Sequence, residues 1–136
     1  MNPFHYAFKV KDIMSTRAFY VDILGCSEGR STDTWIDFDF FGNQLSAHVS
    51  DELPELDYCG KVDGINAPIP HFGCILSRSD FETIRRRLET AEVQFIVKPQ
   101  QRYEGQIGEQ KTMFVFDYRG NPIEFKSFTD NSAIFK

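Results

Sequence analysis

TMFVFDYRGNPIEFKSF, residues 112–128, is the stretch on which the fold turns. Phe114 and Phe116 alternate with Met113 and Val115. Asp117-Tyr118-Arg119-Gly120-Asn121 then supplies turn residues, and Ile123, Phe125 and Ser127 alternate with Glu124, Lys126 and Phe128. Period-two alternation on both sides of a turn predicts two strands. Glu124 breaks the apolar pattern. A carboxylate in an aromatic-rich strand costs stability unless a cation or a donor receives it. Two readings are open at this point, an edge-strand glutamate facing water and a metal ligand.

Working outward, the same order of elements occurs twice. In the first half, residues 3–10 read as a strand. Asp12 is an N-cap for a helix over 13–24, with Ile13, Phe19 or Tyr20, Ile23 and Leu24 on one side, and Gly25 is its stop. Residues 26–32 are weakly strand-like, 34–41 (TWIDFDFF) alternate, and 44–50 return after Gly42-Asn43. In the second half, 71–77 (HFGCILS) read as a strand. Ser79-Asp80-Phe81-Glu82 is a capping box for a helix to about Ala91. Residues 93–97 are a strand, 99–110 a polar loop, and 112–128 close the unit. Each half is β-α-β-β-β, and an internal repeat constrains a fold more than any single motif. Asp39-x-x-Gly42-Asn43 is echoed by Asp117-x-x-Gly120-Asn121. Between the halves, residues 51–70 hold Pro54, Gly60, Gly64, Pro68 and Pro70 without periodicity and read as a linker. The expected organisation is one domain over 1–136: module one 1–50, linker 51–70, module two 71–128, tail 129–136.

With 136 residues and 14 Phe, the chain can bury a sizeable aromatic core. A net charge of −5 argues against nucleic acid or an anionic membrane as partner. No apolar run approaches the roughly 18 residues of a membrane span, and no secretory leader is visible, so a cytoplasmic protein is expected. Cys26, Cys59 and Cys74 are scattered and odd in number, and read as reduced thiols.

The three histidines fall at related places. His5 opens the first strand of unit one and His71 that of unit two. His48 is on the last strand of unit one, as Glu124 is on that of unit two. His48 lies six residues after Gly42 and Glu124 four after Gly120, both even offsets, so the two side chains project to equivalent faces one pleat repeat apart. A lone strand histidine is more often a core or surface residue than a ligand. Two histidines and a carboxylate with open positions suit non-haem Fe(II), and a third histidine or a water suits Zn, Ni or Mn as well.

The paired units, His5, His71 and Gly120-Asn121-Pro122-Ile123-Glu124 together resemble the vicinal oxygen chelate superfamily: glyoxalase I, bleomycin-resistance proteins and extradiol dioxygenases. TWIDFDFFGNQLSAH and GEQKTMFVFDYRGNPIEFK are most similar to small predicted extradiol-type dioxygenases. The resemblance implies an α+β fold of two paired βαβββ modules forming a shared cupped mixed β-sheet with flanking helices. It also implies a small-molecule substrate and admits a homodimer. His5, His71 and Glu124 match the three iron ligands of extradiol dioxygenases and three of the four metal positions of bacterial-type glyoxalase I. The fourth glyoxalase position is usually Glu; His48 is the nearest residue here, as fourth ligand or acid–base group. Phe114 stands where the extradiol signature has Tyr, and Asp117-Tyr118 replaces its Asp-Pro. The implied function is a metal-dependent enzyme with a divalent metal ion (Fe2+ first; Ni2+, Zn2+ or Mn2+ otherwise), an extradiol-type oxidoreductase in which His48 and Glu124 would be catalytic. The alternatives are a glyoxalase-I-like isomerase or lyase and a metal-free binding protein.

Overall fold

A computed structural model describes residues 1–62 and 64–136, without the side chains of 59–62 and 65. It has two compact units. The first is Met1–Glu55 with Asp117–Asn121, and the second is Leu56–Phe116 with Pro122–Lys136.

The first unit carries a four-stranded mixed sheet in the order β1-β4-β3-β2, built from β1 (His5–Val10), β2 (Ser27–Ser31), β3 (Trp35–Phe40) and β4 (Asn43–Val49). β1 runs parallel to β4 and the other pairs are antiparallel. Alternation sends Phe8, Val10, Ile36, Phe38, Phe40, Leu45 and Ala47 into the core. Asp12 caps α1 (Ile13–Arg17) by accepting from the Ser15 amide at 2.6 Å. The helix then widens into a π-helical stretch over Ala18–Ile23. In that stretch two consecutive aromatics, Phe19 and Tyr20, are fully buried, and Ile23 stays half-buried. Gly25, at φ 81°, ends the helix as expected.

Tyr20 is fully buried, and its hydroxyl donates to Asp117 Oδ2 at 2.8 Å. Asp117 also accepts from the Arg119 and Asn121 amides and from Asn121 Nδ2. The Asp117 turn is therefore folded around one carboxylate. Tyr20→Phe removes a donor from a buried acceptor, and should cost about 1–3 kcal/mol. A Tm within error of the parent would show that the hydroxyl contributes nothing.

The second unit carries a four-stranded sheet in the order β7-β10-β9-β8, from β7 (Phe72–Ile75), β8 (Phe95–Arg102), β9 (Gln110–Phe116) and β10 (Pro122–Phe128). β7 is parallel to β10, matching β1 and β4. α2 (Arg78–Thr90) buries Phe81, Ile84 and Leu88. Its N-cap is Ser77, which accepts from the Asp80 amide, two residues before the cap read from sequence. Ser77-x-x-Asp80 is an equivalent capping pattern, and it leaves the Ser79 carbonyl to accept from Thr83 within the helix.

Two sequence expectations are corrected. Residues 51–70 are no plain linker, because β5 (Asp57–Val62) and β6 (Ile65–Ile69) pair as an antiparallel hairpin in the second unit. Gly64, at φ 77°, supplies the turn conformation, and Ala67 is buried with Val97 and Phe114. The expected polar loop over 99–110 begins later, because β8 continues through register shifts to Arg102, opposite Gln110. Cys26 and Cys74 are free thiols; the Cys59 side chain lies outside the described residues. No described helix is long and apolar enough to cross a membrane.

Candidate metal centre

Glu124 stands in the middle of β10, between Phe114 of β9 and Gly73 of β7. It is 6% exposed, so the edge-strand reading does not hold. Its partners explain how it is tolerated. Oε2 accepts from the Thr112 hydroxyl at 2.5 Å, and Oε1 lies 3.2 Å from His71 Nε2 and 3.8 Å from Lys126 Nζ. Burial pushes the Glu124 carboxyl up, but the hydrogen bonds from His71 and Thr112 outweigh it and hold the group below its ordinary range. The hydrogen bond to Glu124 raises His71, against a smaller lowering by partial burial.

His71 is half-buried just before β7. Its Nδ1 donates to the Pro68 carbonyl at 2.7 Å, and its ring meets Phe114 edge-on at 5.0 Å. A carbonyl on Nδ1–H fixes the ring and turns Nε2 toward Glu124, the arrangement that orients metal-ligating imidazoles. Two donors bound at about 2.1 Å and a right angle lie about 3.0 Å apart. The observed 3.2 Å between His71 Nε2 and Glu124 Oε1 meets that requirement. The pair opens on a recess of about 260 Å³ also lined by Gly73, Ile75 and Lys126.

In the first unit, His5 is exposed, and its Nδ1 lies 2.9 Å from Gln44 Oε1. Gln44 Nε2 donates to Asp37 Oδ2 at 3.3 Å, and the Ser46 hydroxyl donates to Asp37 Oδ1 at 2.7 Å. Asp37 and Ser46 are each 7% exposed. The registers fix the repeat correspondence. Gly73, two residues after His71, pairs with Glu124; Ala7, two residues after His5, pairs with Ser46. Ser46 thus occupies the position of Glu124. His48 pairs with Lys9, four residues after His5, as Lys126 pairs with Ile75, four after His71. His48 is exposed and is the counterpart of Lys126. The structure therefore brings His71 and Glu124 together. His5 and His48 belong to the first unit, and among the described residues no three His, Cys, Asp or Glu side chains gather around one point. The orienting partners Thr112, Gln44 and Asp37 escaped the sequence reading. Asp37 carried a signal, as an acid inside the alternating strand 34–41.

A family model for the glyoxalase/bleomycin resistance protein/dioxygenase superfamily matches residues 3–125. The chain belongs to this superfamily. A glyoxalase/bleomycin resistance protein/dioxygenase from Alicyclobacillus acidocaldarius is 30% identical, with 98% of this chain and 96% of that one covered and a TM-score of 0.81. The fosfomycin resistance protein FosX from Listeria monocytogenes is 19% identical over 98% of each chain, with a TM-score of 0.73. A lactoylglutathione lyase from Agrobacterium tumefaciens is 15% identical over 93% of this chain and 92% of that one, with a TM-score of 0.64. The last two establish likeness of fold alone. No curated protein matches the chain. Superfamily members typically use divalent metals and bind small molecules.

Proposed function

We propose that this superfamily member is a divalent-metal enzyme with His5, His71 and Glu124 as protein ligands, and that its chemistry is of the extradiol-dioxygenase kind, with Fe2+ and a small catechol-like substrate. The observation that carries the reading is the oriented His71–Glu124 pair, set against Ser46 at the repeat counterpart of Glu124. With serine there, the donor set is two histidines and one carboxylate, which leaves positions open for adjacent substrate oxygens. A four-ligand glyoxalase-type set has no second carboxylate at that position. When bound, the metal supplies Lewis acidity and a template for those oxygens. The chain's own contribution is orientation: Pro68 holds the His71 ring and Thr112 holds the Glu124 carboxylate.

Oxygen consumption by Fe2+-loaded protein with a catechol panel tests the reading. Turnover of a glutathione hemithioacetal with Ni2+ or Zn2+ would replace it with an isomerase or lyase. Tight ligand binding without turnover would replace it with a binding protein. His48→Ala should leave metal content unchanged, because His48 stands a pleat repeat beyond the Glu124 position. Metal loss as deep as that of a Glu124 variant would restore His48 as a ligand.

A further inference from the structure

We propose that Asp37, acting through Gln44, holds the His5 ring with its proton on Nδ1, so that Nε2 is kept as a bare electron-pair donor. Asp37 sits on β3 opposite Ser46, and Gln44 and Ser46 share a face of β4. Gly29 leaves room for it, since a Cβ there would come within 3.3 Å of the Asp37 Cβ. A carboxylate only accepts. The Gln44 amide must therefore turn its nitrogen to Asp37, 3.3 Å away, which turns Oε1 to His5 Nδ1 at 2.9 Å. An amide oxygen also only accepts, so Nδ1 carries the proton. A neutral imidazole has one N–H, and Nε2 is left without it. Ser46 locks the far end by donating to the other Asp37 oxygen.

The second unit orients its histidine differently. There the Pro68 carbonyl takes the Nδ1 proton of His71 directly. Nε2 of His71 has an acceptor of its own, Glu124 Oε1 at 3.2 Å, so the relay through an amide and a carboxylate belongs to His5. Asp37 and Gln44 are positioning residues, and neither needs to touch a substrate. What Nε2 of His5 is kept for rests on the metal reading above; the tautomer itself does not.

The test is imidazole 15N NMR on metal-free full-length protein in mildly alkaline solution, paired with Zn2+ titration. In the wild type His5 should show the Nδ1–H form. Gln44→Leu and Asp37→Ala should each release His5 to a mixture of tautomers while His71 stays unchanged, which also reports an intact second unit. Zn2+ affinity should fall about 10–100-fold in both variants, the usual consequence of losing a ligand's orienting partner. Gln44 is exposed, so Gln44→Leu gives the answer even if Asp37→Ala folds poorly. An Nε2–H form of His5 in the wild type would overturn the proposal. So would an unchanged tautomer in Gln44→Leu, or unchanged Zn2+ affinity once the tautomer is released. Wild-type protein that binds no Zn2+ while His5 is held as Nδ1–H would overturn the metal reading and support the relay.

Discussion

Glu124→Gln should give folded protein that retains almost no divalent metal. Glu124 supplies the only anionic ligand proposed, so its loss should exceed the roughly 10–100-fold cost of deleting an orienting partner. Folding should survive, because glutamine has the same shape. Its amide oxygen can still accept from Thr112, and its amide nitrogen can donate to His71 Nε2. The metal-free protein should nevertheless differ in its pH dependence, and the sign follows from the two shifts. His71 is raised above its ordinary 6.5, so its contribution is full below that value and is lost as pH rises through the folded-state value. Glu124 is held below its ordinary 4.5, so its contribution is present above that value and is lost as pH falls through the folded-state value. The stability advantage of the metal-free wild type over Glu124→Gln should therefore peak between about pH 4.5 and 6.5 and shrink in alkaline solution. Metal binding should run the other way, weakening with acid, because His71 Nε2 must give up its proton to bind. Elemental analysis and urea melts at several pH values check both parts. Stoichiometric metal in Glu124→Gln would remove Glu124 from the ligand set.

The fold was legible because its two levels of pattern agree. Alternation marked the strands that carry Ile36, Phe38, Met113, Val115, Ile123 and Phe125, all of them buried, and the repeat of β-α-β-β-β gave the element order. What the sequence reading missed is of three kinds. The β5–β6 hairpin lacks long apolar alternation, and its one local signal, Asp63-Gly64, lay among other glycines and prolines. The π-helical turn has no sequence signature at all; it showed only as an ambiguity over whether Phe19 or Tyr20 faces inward, and both do. The cap of α2 was misplaced because Ser77 and Ser79 both offer capping spacing, and only packing of Phe81 and Ile84 chooses between them.

The site was half legible. Glu124 stood out as a carboxylate among aromatics, and His71 as its partner followed from the repeat. His48 stands one pleat repeat from the position of Glu124, as the even offsets from the two Gly-Asn turns gave it; that Ser46 holds the Glu124 position needs the β1–β4 and β7–β10 registers. The hydrogen bonds that orient the ligands were not legible. Pro68 reaches His71 through a carbonyl, which every residue has, and Gln44 reaches His5 across a strand pair.

Gly73→Ala should be among the most damaging single-methyl changes in the chain. Gly73 lies directly beside Glu124 in the parallel β7–β10 pair. A Cβ on Gly73 would stand 1.6 Å from the Glu124 carbonyl oxygen and 2.6 Å from its carbonyl carbon. Both are backbone atoms of a strand paired on both sides, so no rotamer change can make room. β7 would have to move away by more than an ångström, which breaks its ladder to β10, including the 2.7 Å bond from the Leu76 amide to the Lys126 carbonyl. Overpacking typically costs about 1–3 kcal/mol and occasionally more, and a clash with rigid backbone belongs at or above the top of that range. The same shift carries His71, two residues away, off the Glu124 carboxylate. Metal affinity should then fall along with stability, even though neither ligand has been changed. Cys74→Ala is the matched control: it changes the next residue of the same strand, which pairs with Phe125, but brings no atom against backbone, and should keep the metal. Parent-like Tm and metal content in Gly73→Ala would mean that β7 can shift without disturbing the His71–Glu124 pair, and that the close strand approach does not set the geometry of the site.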